Sequence, residues 1–161
     1  MNARDILHYG HKTVLDTLTD LPEAAWHAPG ACGTWSVKDV VAHLASYEHL
    51  LSDVFRFVHG GGPMPYLEHM SQPDTDFNDA QVARRKDLPV DEVLAELNAA
   101  HDAVMQQVAD MPAELVGQVG TIPWYGMEYA LDDFIVYANY GHKREHAAQI
   151  AVVKDRVDRG G

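Results

Sequence analysis

Ser36-Val37-Lys38-Asp39-Val40-Val41-Ala42-His43-Leu44 is the stretch from which the fold of this chain can be read. Ser36 followed three residues later by Asp39 has the form of a capping box. In it the serine oxygen accepts from an early amide of a helix and the acid reaches back to the cap. A helix therefore starts just before His43. Val37, Val40, Val41, Leu44, Leu51, Val54, Phe55 and Val58 recur at helical spacing and give it one apolar stripe. Gly60-Gly61-Gly62-Pro63 stops it.

Working outward, Ile6, Val14, Leu15 and Leu18 predict a first helix over about Ala3 to Asp20, with Asn2 as its cap and Leu21-Pro22 as its end. A loop rich in Ala, Pro and Gly then runs to Trp35. Gly60 to Asp76 reads as a loop or short irregular excursion. A third helical segment runs from about Phe77 to Asp110, broken or kinked at Leu88-Pro89, where the proline ring removes an amide donor and crowds the preceding turn. Pro112 to Met127 reads as a loop across the end of the bundle. The last helix is expected over about Tyr129 to Arg156. No repeat or low-complexity tract interrupts this order, and one all-α domain over residues 1–161 is the expectation.

Composition narrows the function classes. At 161 residues, roughly 70% of the unfolded chain's surface can be buried on folding, so no disulfide is required for stability. Cys32 is the only cysteine. Twelve Lys and Arg against 24 Asp and Glu leave a formal charge of −12, a field that repels a polyphosphate backbone and argues against a nucleic-acid partner. No apolar stretch reaches the roughly 20 residues that cross a bilayer, and the first residues become charged at once. A cytoplasmic protein is expected.

The candidate chemistry lies in the ten histidines. His142 and His146, four apart in a helical pattern, stand on one face about 5–6 Å apart at Cβ, a separation that lets two imidazoles share an ion. A third ligand has to come from another helix. His43, between Val40, Val41 and Leu44, lies along an apolar stripe and suits either a ligand or a core histidine. His8 and His11 on the first helix compete for that role, and His49, His59, His69 and His101 read as peripheral. Glu48 and Glu145, within a turn of these histidines, are candidates for proton carriers or for partners that orient a ligand ring. Glu145 also fits a plain solvated charge. Tyr47, Asn78 and Trp124 are pocket candidates that serve equally well as packing, and Gln149 is placed to orient an imidazole.

Trp35 to Leu44 followed by Tyr47-Glu48, the late Gly141-His142-Lys143-Arg144-Glu145-His146-Ala147-Ala148-Gln149-Ile150, Phe77-Asn78 with Arg84-Arg85, and Pro123-Trp124-Tyr125-Gly126 together resemble the DinB-like superfamily. That superfamily includes the metal-binding domain of mycothiol-dependent maleylpyruvate isomerase. The resemblance implies an up-down-down-up four-helix bundle with a three-histidine site for zinc, nickel or a similar divalent ion. The histidine of the family's second helix falls on His43 and its late pair on His142 and His146. It further implies transfer of a low-molecular-weight thiol to an electrophilic small molecule; Glu48, from its place within a turn of the histidines, is the candidate catalytic residue. Metal-dependent hydrolysis and non-catalytic metal or ligand binding are the alternatives. A homodimer through outer helix faces is an expectation that no particular residue supports.

Overall fold

Asn2 accepts the Asp5 amide through Oδ1 at 3.2 Å and starts α1, Ala3–Leu18, in the computed structural model, which describes residues 2–160. The Ser36 box forms in full: Ser36 Oγ takes the Asp39 amide at 3.2 Å and Asp39 Oδ2 takes the Ser36 amide at 3.0 Å. It opens α3, Val37–Val58. The expected break at Leu88-Pro89 is real, and two helices in series result: α5, Phe77–Arg84, capped by Asp76, and α6, Val90–Asp110, which begins directly after Pro89.

Three short helices occupy segments read as loops. They are α2, Glu23–His27; α4, Pro65–Met70; and α7, Ala113–Val116. Each is too short to show a helical period, and each depends on packing for its existence. In α4 the missing N-cap is supplied from elsewhere: buried Asp53 on α3 accepts the amides of Tyr66 and Leu67 at 2.6 and 3.1 Å. Trp26 of α2 packs into the apolar core.

The last helical segment is not one uniform helix. It comprises α8, Leu131–Phe134, a π-helical stretch over Ile135–Gly141, and α9, His142–Gly160. A π-turn holds more residues than an α-turn and so changes which side chains face the core beyond it, a local distortion that often accompanies functional sites. Here the change falls immediately before His142. Gly10 lets α1 approach this stretch, since a Cβ there would stand 3.1 Å from the Tyr140 ring.

Pairings between the four long segments fix their directions. Glu48 meets His101, and one turn further on the Ser52 carbonyl meets Gln107, so α3 and α6 are parallel. Gly10 lies beside Tyr140, and the Thr19 carbonyl takes Lys154, so α1 and the last segment are parallel. His43 meets His146 while Glu48 meets Asn139, an antiparallel pair. α1 opposes α6 in the same way: His11 bonds Asn98, while the Asn2–Ala3 end shares a cleft with Val108 and Met111. α1 and α3 each pack against both α6 and the last segment. The order is up, down, down, up, as the resemblance implied. Among the described residues no helix is long and apolar enough to cross a membrane.

The apolar interior is divided in two. One cluster contains Val14, Leu18, Val40, Val41, Leu44, Val93, Leu97 and Ile150; the other contains Leu7, Leu51, Val54, Phe55, Val104, Leu131 and Ile135. On every long segment a buried polar residue separates the two sets: His11 on α1, Glu48 on α3, His101 on α6, and Asn139 with Lys143 on the last segment. A polar layer therefore crosses the middle of the bundle. Fully burying one Leu or Phe side chain is worth about 1.5–3 kcal/mol, so placing five polar groups here sacrifices considerable apolar stabilisation and requires that they satisfy one another.

Candidate metal centre

α3 and α9 bring His43, His142 and His146 to one point. Each offers Nε2: His43 to His142 is 2.8 Å and His142 to His146 is 2.9 Å. The three donor atoms lie within 4.8 Å of one another. His43 and His146 are 3% and 6% exposed, and His142 is half-buried. The sequence spacing accounts for half of this arrangement, since residues four apart share a helix face. The other half is tertiary: His43 is 99 residues away from His142.

The donor set fits a single divalent ion. A neutral imidazole has one N–H and one lone pair, so three Nε2 atoms facing one another cannot all be satisfied by mutual hydrogen bonds, whereas three lone pairs converging on a cation can. His146 is held in the required form, because its Nδ1–H donates to Gln149 Oε1 at 2.8 Å and leaves Nε2 as the acceptor. Nδ1 of His43 and of His142 has no such partner among the described residues. Gln149 thus does what its spacing suggested.

Burial keeps the ring nitrogens neutral. It is the largest effect on His43, whose pKa falls to about 3 with further lowering by His142 and His146. His142 falls to about 4, from burial first and then from His146 and Lys143. His146 is also lowered by burial, against opposing contributions from Gln149 and Glu145. Neutral imidazole is the form that binds metal.

Aromatic rings enclose the cluster. Tyr47 lies 4.5 Å from the His142 ring and 4.7 Å from that of His43, centroid to centroid, and Trp35 lies 4.9 Å from His43. Tyr47 donates to Asn78 Oδ1 at 3.1 Å, and Trp35 Nε1 donates to Asp79 at 3.2 Å, so the N-terminus of α5 fixes both rings. Asn78 is therefore part of the surroundings of the cluster, through Tyr47. Trp124 is not: it packs at the other end against Phe57 and Phe134. Glu145 is exposed, which fits a solvated charge.

Glu48 is placed differently from the other candidates. It is fully buried and faces Lys143 in an ion pair, Asn139 Nδ2 at 2.8 Å and His101 Nδ1 at 3.2 Å. Burial alone would raise its pKa, but the Lys143 ammonium and His101 outweigh that and hold it well below the usual carboxylate range. Its neighbours are those of the central layer and not the three histidines.

Three histidines read as peripheral require correction, and one of them, His69, is half-buried and accepts from Gln81 Nε2 at 2.9 Å. His101 is 4% exposed and stacks on His11 at 3.9 Å with the rings 10° apart. His49 is half-buried, donates to Glu96 at 2.9 Å and stacks on Tyr66. Both meet their partners across long-range contacts, which no local spacing announces. His59 and His8 are exposed, as read for His59; His11 lies in the layer and not at the cluster.

The profile of the mycothiol maleylpyruvate isomerase N-terminal domain family matches residues 7–126. The chain belongs to that family. The match covers α1 to α7 and includes His43, but it ends before the helix that carries His142 and His146, so the second half of the centre rests on the geometry above. A metal-binding, DinB-like helical domain with a three-histidine group able to hold an ion follows from the family and the geometry together. Comparison with curated proteins and with solved structures gives no match.

Proposed function

We propose that His43, His142 and His146 hold one divalent ion, zinc or nickel, and that the protein is a transferase delivering a low-molecular-weight thiol to an electrophilic small molecule. The convergence of three Nε2 atoms from α3 and α9 carries this reading. Family membership supports the thiol, since the family is described by a mycothiol-dependent isomerase.

Held by His43, His142 and His146, a divalent ion would favour the thiolate of a bound thiol over the thiol at neutral pH. This chain's residues provide the rest. The Gln149 contact holds His146 with its lone pair toward the centre. Trp35 and Tyr47 pack against the His43 ring and fix its position. Burial raises the Tyr47 pKa despite the Asn78 bond, so its hydroxyl stays protonated and keeps donating to Asn78, which holds the ring beside the cluster.

Elemental analysis of untagged protein, followed by thiol consumption with a model electrophile such as 1-chloro-2,4-dinitrobenzene, tests the proposal. One equivalent of metal and metal-dependent thiol consumption are expected, both lost in His43→Ala. Turnover without thiol would replace transfer by hydrolysis. Metal that raises Tm with no turnover under either condition would leave a binding protein only.

A further inference from the structure

The groove between α1 and α6 opens on the side of the bundle opposite the three histidines, and its volume is about 760 Å³. Its floor is the outer edge of the central layer. His101 and His11 line it, stacked on one another and each more than nine-tenths buried. Behind His101 lies Glu48, ionised and enclosed. A carboxylate can only accept, so His101 Nδ1 carries a proton, and in the neutral imidazole Nε2 is the lone pair on the groove side. A histidine oriented in this way by a buried acid is the general-base half of many hydrolytic sites.

The walls suit a neutral acyl compound. Leu15 and Met105 are apolar, Lys12 and Asp16 neutralise each other as an ion pair, and at the exposed rim His8 and the Asp102 carboxylate leave the groove unfavourable to an anion. Asn98 Oδ1 accepts from His11 Nε2 at 2.9 Å, which leaves the Asn98 amide N–H groups as donors beside the imidazole pair. We propose that this groove is a second, metal-independent site for hydrolysis of small carboxylic esters, with His101 as general base, Glu48 as the residue that positions it, and Asn98 as donor to the carbonyl oxygen. His101 Nε2 removes a proton from water as the water oxygen bonds to the ester carbonyl carbon. The carbon–oxygen bond to the alcohol then breaks, that oxygen leaves with the electron pair, and the proton on His101 passes to it or to solvent. Ester and water give acid and alcohol.

Glu48→Gln isolates the positioning role. Lys143 and Asn139 both face Oε1, so the glutamine carbonyl oxygen takes that position and its NH₂ is turned toward His101. The imidazole then has to accept at Nδ1 and carry its proton on Nε2, which abolishes the base while the core stays filled. The probe is p-nitrophenyl acetate, with p-nitrophenolate release followed in the full chain with and without chelator. Release that survives chelator, falls at least about tenfold in His101→Ala and in Glu48→Gln, and is unchanged in His59→Ala is expected. ¹⁵N imidazole spectra should give a Nδ1–H tautomer for His101 in the wild type and the Nε2–H tautomer in Glu48→Gln, a change that loss of packing alone does not produce. If His101→Ala does not fold, or Glu48→Gln fails because it leaves the buried Lys143 charge unpaired, the wild-type His101 tautomer and the response to chelator decide. Wild-type rates in the folded variants, rates abolished by chelator, or a Nε2–H tautomer in the wild type would overturn the proposal.

Discussion

The three-histidine cluster and the central polar layer both place imidazoles inside the same bundle, yet they solve opposite problems. At the cluster three lone pairs face one another and two Nδ1 atoms go without protein partners. It is an arrangement that a cation from outside could complete. In the layer Glu48 meets Lys143, Asn139 and His101, and all four long segments contribute. This arrangement is held mainly by its own side chains, with His11 Nδ1 and Asn139 Oδ1 left without partners among the described residues. A polar group in a protein interior must be satisfied, and whether the partner is an ion or a neighbouring side chain distinguishes a binding centre from an internal network.

The strongest way to break the comparison is to remove one ligand from the cluster. His142→Ala should abolish stoichiometric metal and, with it, any rise in Tm on metal addition, because ligand-linked stabilisation disappears with the site. Elemental analysis and thermal melts in parallel read both. Unchanged metal content would place the ion elsewhere.

In the layer, Glu48→Ala should cost about 3–5 kcal/mol by urea denaturation, since it strands the buried Lys143 charge. The double variant Glu48→Leu with Lys143→Met should recover most of that loss, because an apolar pair of similar volume removes both charges at once. Recovery by the double variant would show that the layer is self-contained. Failure to recover would mean that the pair does more than satisfy itself.

A third comparison uses pH. Burial, His101 and Lys143 lower the His11 pKa from 6.5 to about 4. The unfolded chain then takes up a proton that the folded chain refuses, so stability is present above pH 6.5 and is lost as pH falls toward 4. The loss from pH 7 to pH 5 is about 2 kcal/mol as an order of magnitude. Urea midpoints at the two pH values should fall more steeply in the wild type, where His43, His142 and His146 are lowered as well, than in His11→Leu, the difference being of that size. The smallest effect belongs to local structure: Ser36→Ala should cost about 1 kcal/mol and leave both polar sites intact, measured as a shift in urea midpoint with metal content unchanged.

The resemblance and the local patterns made the α3 start, the break at Pro89, the late histidine pair and the up-down-down-up order legible, since each is written in spacing or in a quoted motif. The π-helical stretch was not legible: Ile135 to Tyr140 carries no breaker, a single Gly141 does not announce a wide turn, and the stretch is visible only in the structure beside the close approach of α1 at Gly10. Helix α4 was missed for a related reason, because its cap is Asp53, twelve residues before Pro65 and on another helix.

What the sequence by itself determined is which residues can share a face: a period of 3.6 puts His142 above His146 and aligns the apolar stripes, and a serine three before an acid starts a helix. What only the tertiary structure decided is which faces meet. His43 reaches the late pair, Glu48 turns to His101 and Lys143, and a histidine that reads as peripheral becomes part of the core, because contacts between helices depend on rotation and register along the whole bundle and no local spacing encodes either.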